Sequence, residues 1–136
     1  IGIIGFCLGG GFALLAAASG YDSDETAYQA AAVNYGMLPE NLDAIEHSCP
    51  VVASYGSKDK AVKDGPARLE AKYTELGVAH DVKEYPGARH AFMNETTAGP
   101  LIVRPFMKIS GIGPDPEATV DAWNRIDAFF RQHLHP

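Results

Sequence analysis

Apolar residues fall along this chain in short blocks, separated by turns rich in glycine, proline and charge. Ile1-Gly2-Ile3-Ile4, Ala30-Ala31-Ala32-Val33-Asn34-Tyr35-Gly36 and Pro50-Val51-Val52-Ala53-Ser54-Tyr55-Gly56 run almost without polar alternation. That is the pattern of strands covered on both faces of a parallel sheet. Residues 78–85 predict a fourth strand. The second and third blocks both end in Tyr-Gly, which points to equivalent places in one sheet. Between the strands the period lengthens. Residues 11–19 predict a helix stopped by Gly20, and residues 64–76 a second, with Pro66 in its first turn and Gly77 just past its end. Residues 116–134 predict a closing helix that places Val120, Trp123, Ile126, Phe129 and Phe130 on one side, so Trp123 is expected in the core. Strands alternating with helices at this spacing predict an α/β fold, a mostly parallel sheet with helices on both faces.

The chemistry is concentrated where the first strand turns into the first helix. Gly5-Phe6-Cys7-Leu8-Gly9-Gly10 has the form of a nucleophile elbow, G-x-S-x-G, with Cys7 in the serine position. Glycines on either side let strand and helix approach closely while the central side chain is held outward. The positive end of the helix favours thiolate over thiol. The backbone N–H of Leu8 would point to the same spot and offer one oxyanion donor. Two other readings compete: a buried structural cysteine, or a glycine loop cradling phosphate. The loop matches neither G-x-x-x-x-G-K-[ST] nor G-x-G-x-x-G, which weakens the phosphate reading.

An acid and a base follow in the chain order expected of an α/β-hydrolase. Asp59 lies in the polar turn Gly56-Ser57-Lys58-Asp59-Lys60 at the carboxyl end of the third strand, with Asp64 a rival. His90 lies in Tyr85-Pro86-Gly87-Ala88-Arg89-His90-Ala91-Phe92, after the fourth strand. Carboxyl ends are where parallel sheets place ligands. Alone, Asp59 reads as a helix cap and His90 as a surface imidazole. Together with Cys7 they predict a triad in which His90 takes the thiol proton and Asp59 fixes its tautomer.

These three segments, with Met93-Asn94 after His90, resemble the dienelactone hydrolase family, and the resemblance runs nearly end to end. It implies an α/β-hydrolase fold, a Cys7-Asp59-His90 triad, and opening of an ester or lactone without a cofactor. Phe6, Tyr35, Phe92 and Asn94 become candidates for the substrate pocket. Two departures bear on the substrate. Characterised family enzymes carry an arginine shortly after the triad histidine, and Phe92-Met93-Asn94-Glu95 has none; Arg89 does not obviously replace it. Residues 96–116 are longer than the usual connection, and their apolar stretches suggest a lid or wall.

The resemblance also implies that this chain is the second half of such a domain. The first strand is of interior type, yet every other strand follows it, so its outer edge would lie bare unless a missing N-terminal half or another chain covers it. A second oxyanion donor would come from that other half, so the 136 residues alone are expected to be weakly active or inactive.

Composition narrows the rest. A net charge of −6, with Lys58, Lys60 and Lys63 interleaved with Asp59 and Asp64, gives no basic face for nucleic acid. No membrane span or signal segment is visible. Two cysteines, Cys7 and Cys49, make no disulfide framework, and the cytoplasm is the expected setting. His47, His80, His133 and His135 lack the spacing of a zinc site, so no metal is expected and they are read as solvent-exposed. Competing functions are a non-catalytic α/β module and a thiol redox role; for the latter no resolving cysteine is near Cys7 in sequence.

Overall fold

The computed structural model describes residues 1–19, 28–95 and 112–134. Four strands, β1 (Gly2–Phe6), β2 (Ala30–Asn34), β3 (Val51–Gly56) and β4 (His80–Tyr85), form one sheet in sequence order. All neighbouring pairs are parallel. Every residue of β2 and β3 is buried, as their unbroken apolar runs require. Among the described residues β1 and β4 are the edges, and Ile1 and Ile4 are exposed. The residue 96–116 connection falls mainly outside the described residues, as do Gly20, the turn after it, and His135.

Two helices cover one face of the sheet. Helix α1 (Leu8–Ser19) starts directly after β1, and α2 (Gly65–Leu76) lies between β3 and β4. Leu14 and Ala17 of α1, and Leu69 and Tyr73 of α2, pack on Ala31, Val33, Val51, Ala53 and Tyr55. Helix α2 carries Pro66 in its first turn and closes at Gly77, whose left-handed φ of 66° lets its N–H reach back to Tyr73 and Thr74.

Helix α3 (Pro116–His133) covers the opposite face with Ala118, Ala122, Ile126 and Phe129. The Asp115 side chain caps it by accepting from the Ala118 N–H, and Arg131 and His133 sit in its last turn, where positive charge is favoured. Arg125 pins the helix to the sheet, donating to the carbonyls of Ala53 and Asp81 and to Ser54 Oγ, the Tyr85 hydroxyl and the Asp81 carboxylate.

Trp123 departs from its expected place. It is 44% exposed, and Val120 is exposed beside it. The buried stripe of α3 runs through residues 118, 122, 126 and 129, and both side chains are rotated off it. Trp123 leans toward β1, 5.9 Å from the Phe6 ring. Helix α1 is also apolar on its outer side, with Leu8, Phe12 and Leu15 exposed.

The paired Tyr-Gly ends hold equivalent places in the sheet, as expected, but their rings take opposite faces. Asn34 and Ser54 are partners in register, so Tyr35 and Tyr55 follow at the same level. Tyr55 keeps the alternation of its strand and packs on the α1/α2 face with Val51 and Ala53. Alternation would send Tyr35 there too, beside Ala31 and Val33. Its φ of 42° is left-handed, and its ring instead joins the α3-side cluster with Tyr85 and Phe92.

Candidate active site

The turn after β1 is tight because glycines leave room for it. A Cβ on Gly5 would fall 2.0 Å from the Gly9 carbonyl oxygen, and one on Gly36 would fall 2.4 Å from Gly10 backbone. Strand, helix and the end of β2 therefore meet backbone to backbone. Cys7 sits at the apex with φ 53°, a left-handed conformation that L-residues with a Cβ adopt at a cost. Its N–H donates to the Asn34 carbonyl at 3.0 Å, while its own carbonyl accepts from Gly10 and Gly11 to start α1. Cys7 is exposed. Leu8, the first residue of α1, is exposed as well, and a first-turn N–H has no acceptor inside its own helix.

Asp59 follows β3 and is almost fully buried, its side chain 1% exposed. One carboxylate oxygen accepts from the Ala61 N–H at 2.9 Å, capping a short 3-10 turn, Lys60–Val62. The other lies 2.6 Å from His90 Nδ1. Across the ring, His90 Nε2 is 3.1 Å from Cys7 Sγ. The imidazole thus bridges a thiol and a carboxylate that lie 52 positions apart in sequence. The hydrogen bond with Asp59 is the chief reason its pKa is pushed up, from 6.5 to about 9, with Cys7 adding to the rise and partial burial opposing it.

The backbone around His90 is fixed from both sides. Ala91 has φ 57°. The segment leading into α3 holds the loop: Gly113 N–H donates to the His90 carbonyl, and Asp115 N–H and Thr119 Oγ1 donate to that of Phe92. The Tyr35 ring stands edge-on to the imidazole, 5.3 Å between centroids.

Other sequence candidates land differently. Asp64 is the N-cap residue of α2, while the carboxylate on His90 belongs to Asp59. Tyr35 and Phe92 are buried, so neither presents a surface to a substrate; Tyr35 packs against His90, and Phe92 against Tyr35. Phe6 is part-exposed between Tyr35 and Trp123. Asn94 is exposed on a cavity of about 320 Å³ with Met93, Glu95, Pro114, Thr119 and Val120. His80 is not at the surface as expected: its side chain is 15% exposed, bound to the Val78 carbonyl and paired with Glu70. His133 is partly buried against Phe129. Among the described residues no three histidine, cysteine or acidic side chains gather as a metal-binding group. None of their helices is long and apolar enough to cross a membrane.

Asn34 was not singled out in the sequence. It is fully buried, its side-chain amide N–H donates to the Gly5 carbonyl at 3.2 Å, and its backbone carbonyl accepts from the Cys7 N–H. A polar residue closing an otherwise apolar strand was the available signal.

The model of the dienelactone hydrolase family matches residues 1–134. The chain belongs to that family. A Saccharolobus solfataricus protein is 30% identical over 130 residues, which is 95% of this chain and 43% of that protein. The carboxymethylenebutenolidase of Rhodococcus opacus is 29% identical over 140 residues, 98% of this chain and 50% of its own. A dienelactone hydrolase-like promiscuous phosphotriesterase from metagenomic libraries superposes with a TM-score of 0.77 at 22% identity, over 98% of this chain and 52% of that one. That structural likeness speaks for the α/β-hydrolase fold. This dienelactone hydrolase family chain spans about half the length of the relatives it matches.

Proposed function

We propose that this chain carries the nucleophile, base and acid of a hydrolase that cleaves a carboxylic ester or lactone through a covalent acyl-enzyme on Cys7. The supporting observation is the unbroken contact from Cys7 Sγ through the His90 ring to Asp59. With His90 protonated, the sulfur attacks the substrate carbonyl as a thiolate and forms a C–S bond. The carbonyl electrons move onto oxygen, toward the Leu8 N–H. Collapse of the tetrahedral intermediate breaks the C–O bond, and the departing alkoxide takes the proton from His90 Nε2. Neutral His90 then deprotonates a water, which attacks the thioester and releases the carboxylic acid while the thiolate and imidazolium are restored. Asp59 holds the ring orientation throughout. The absence of an arginine from residues 92–95 favours esters or lactones without a carboxylate at that position.

We assign the outer edge of β1, unpaired among the described residues, with Ile4, Phe6 and Trp123 on one side and Leu8, Phe12 and Leu15 on the other, to a further strand and its flanking helices, from another stretch of polypeptide or another chain. The second oxyanion donor would come from there, and on this reading the 136 residues alone are weakly active or inactive. A free thiol nucleophile fits a reducing compartment, the cytoplasm.

The test is release of nitrophenol from short-chain nitrophenyl esters by the intact protein, with Cys7→Ala alongside, and iodoacetamide labelling of the two cysteines. Hydrolysis lost in Cys7→Ala and alkylation of Cys7 far ahead of Cys49 are expected. Cys49 is buried, and burial pushes its pKa up to about 11. No ester hydrolysis together with equal labelling would identify a non-catalytic α/β module instead.

A further inference from the structure

Three of the four non-glycine residues with left-handed φ among the described residues lie at one place: Cys7, Tyr35 and Ala91. Strained backbone persists only where its surroundings hold it, and it gathers where geometry matters to function. For Cys7 and Ala91 the reason is local, because one is the nucleophile and the other follows His90. Tyr35 is 55 positions from His90 in sequence and neither gives nor takes a proton in the proposed reaction.

What the strain accomplishes at Tyr35 is visible in where its ring goes. A regular extension of β2 would place it with Ala31 and Val33 under α1 and α2. The left-handed turn carries it through the plane of the sheet to the α3 side, edge-on to His90 and to Phe92 at 5.3 and 5.5 Å. The turn itself is tied down at every residue. Asn34 carbonyl binds the Cys7 N–H, Tyr35 N–H donates to the Ser54 carbonyl at 2.7 Å, and Gly36 abuts Gly10. The segment 34–36 thus touches the nucleophile through its backbone and the base through its ring.

We propose that Tyr35 is a positioning residue for His90, its ring edge fixing the plane of the imidazole so that Nδ1 and Nε2 address Asp59 and Cys7 together. This rests on the hydrolytic reading above for its effect on rate, but not for its effect on the ring. Two hydrogen bonds to opposite ring atoms leave the imidazole free to rock about the axis joining them. A wall of aromatic carbon against its face or edge removes that freedom, and the Tyr35 ring, buried and packed on Phe92, is such a wall. The hydroxyl is not required: burial, and secondarily the charge of Cys7, push it up to about 12, so it remains a neutral phenol.

The test is NMR titration of the His90 imidazole and steady-state ester hydrolysis in the intact protein, for Tyr35→Leu, Tyr35→Phe and Phe129→Leu. Phe129 lies in the same apolar layer and serves as the control for core loosening. Tyr35→Leu is expected to lower kcat on the order of 10²-fold with KM little changed, as a misplaced catalytic group does. It should also bring the His90 titration down from about 9 toward 6.5. Tyr35→Phe should restore both, and Phe129→Leu should move neither. A His90 titration unchanged in Tyr35→Leu, or moved equally by Phe129→Leu, overturns the proposal. If Tyr35→Leu does not fold, Tyr35→Phe decides: a displaced His90 titration there overturns it. Loss of hydrolysis in Cys7→Ala with full kcat in Tyr35→Leu rejects the role of Tyr35 alone. Undiminished hydrolysis in Cys7→Ala rejects the hydrolytic reading instead, and leaves the ring titration to judge Tyr35.

Discussion

His90 sets the acid–base behaviour of the site through one short bond. Asp59 Oδ2 at 2.6 Å raises the imidazole above its ordinary 6.5 to about 9, so the folded state binds this proton more tightly than the unfolded chain. Its contribution to stability is therefore whole below about pH 6.5 and lost as pH climbs through 9. Thermal unfolding across that window should show a falling midpoint, and ester hydrolysis should fall above pH 9 as the proton donor for the leaving group is lost. Asp59→Asn removes the cause. It should flatten the alkaline slope and cut turnover by about 10⁴-fold, as in a triad whose histidine takes the wrong tautomer. A retained slope in that variant would place the origin of the raised pKa elsewhere. Cys7, Asp59 and His90 were legible from the sequence as residues following strand ends in a meaningful order. The role of Tyr35 was not, because strand alternation assigns its ring to the wrong face and only the φ of 42° reveals the reversal.

At the level of elements, the glycines do more than relax the chain. Gly36 and Gly10 allow the end of β2 to lie against the start of α1, and a methyl group at position 36 would press on backbone that cannot yield as a side chain would. Gly36→Ala should cost about 1–3 kcal/mol or more, read as a lower urea midpoint at unchanged m-value. Gly77→Ala, at a left-handed φ with open space around it, should cost less. A smaller loss for Gly36→Ala than for Gly77→Ala would contradict the close approach. Strands and helices could be read from periodicity and their Pro and Gly punctuation, to within a few residues at their ends. The sides of α3 could not be fully read. Helical spacing grouped Trp123 and Val120 with Ile126 and Phe129, but the sheet under α3 receives the stripe through Ala118 and Ala122. Small alanines mark the close contact, and the large Trp123 falls to one side.

Across the whole molecule, apolar surface collects on the β1 side. Helix α1 is apolar nearly all round, yet only one of its faces meets the sheet, leaving Leu8, Phe12 and Leu15 open. If that surface is a docking face, the isolated chain should self-associate in sedimentation experiments and bind a hydrophobic dye, and Phe12→Lys with Leu15→Lys should reduce both. A chain that remains monomeric and dye-free would argue against a covering layer. Asp59 ties this larger frame to the chemistry, since one of its oxygens caps the turn toward α2 and the other orients the imidazole. Functional residues can often be exchanged for gains in thermal endurance, because catalysis asks for features that folding would not choose. Here the carboxylate serves both ends, and its removal would cost the turn its cap as well as the relay its anchor. Laboratory selection for heat resistance alone, with no substrate ever offered, would be expected to leave Asp59 in place.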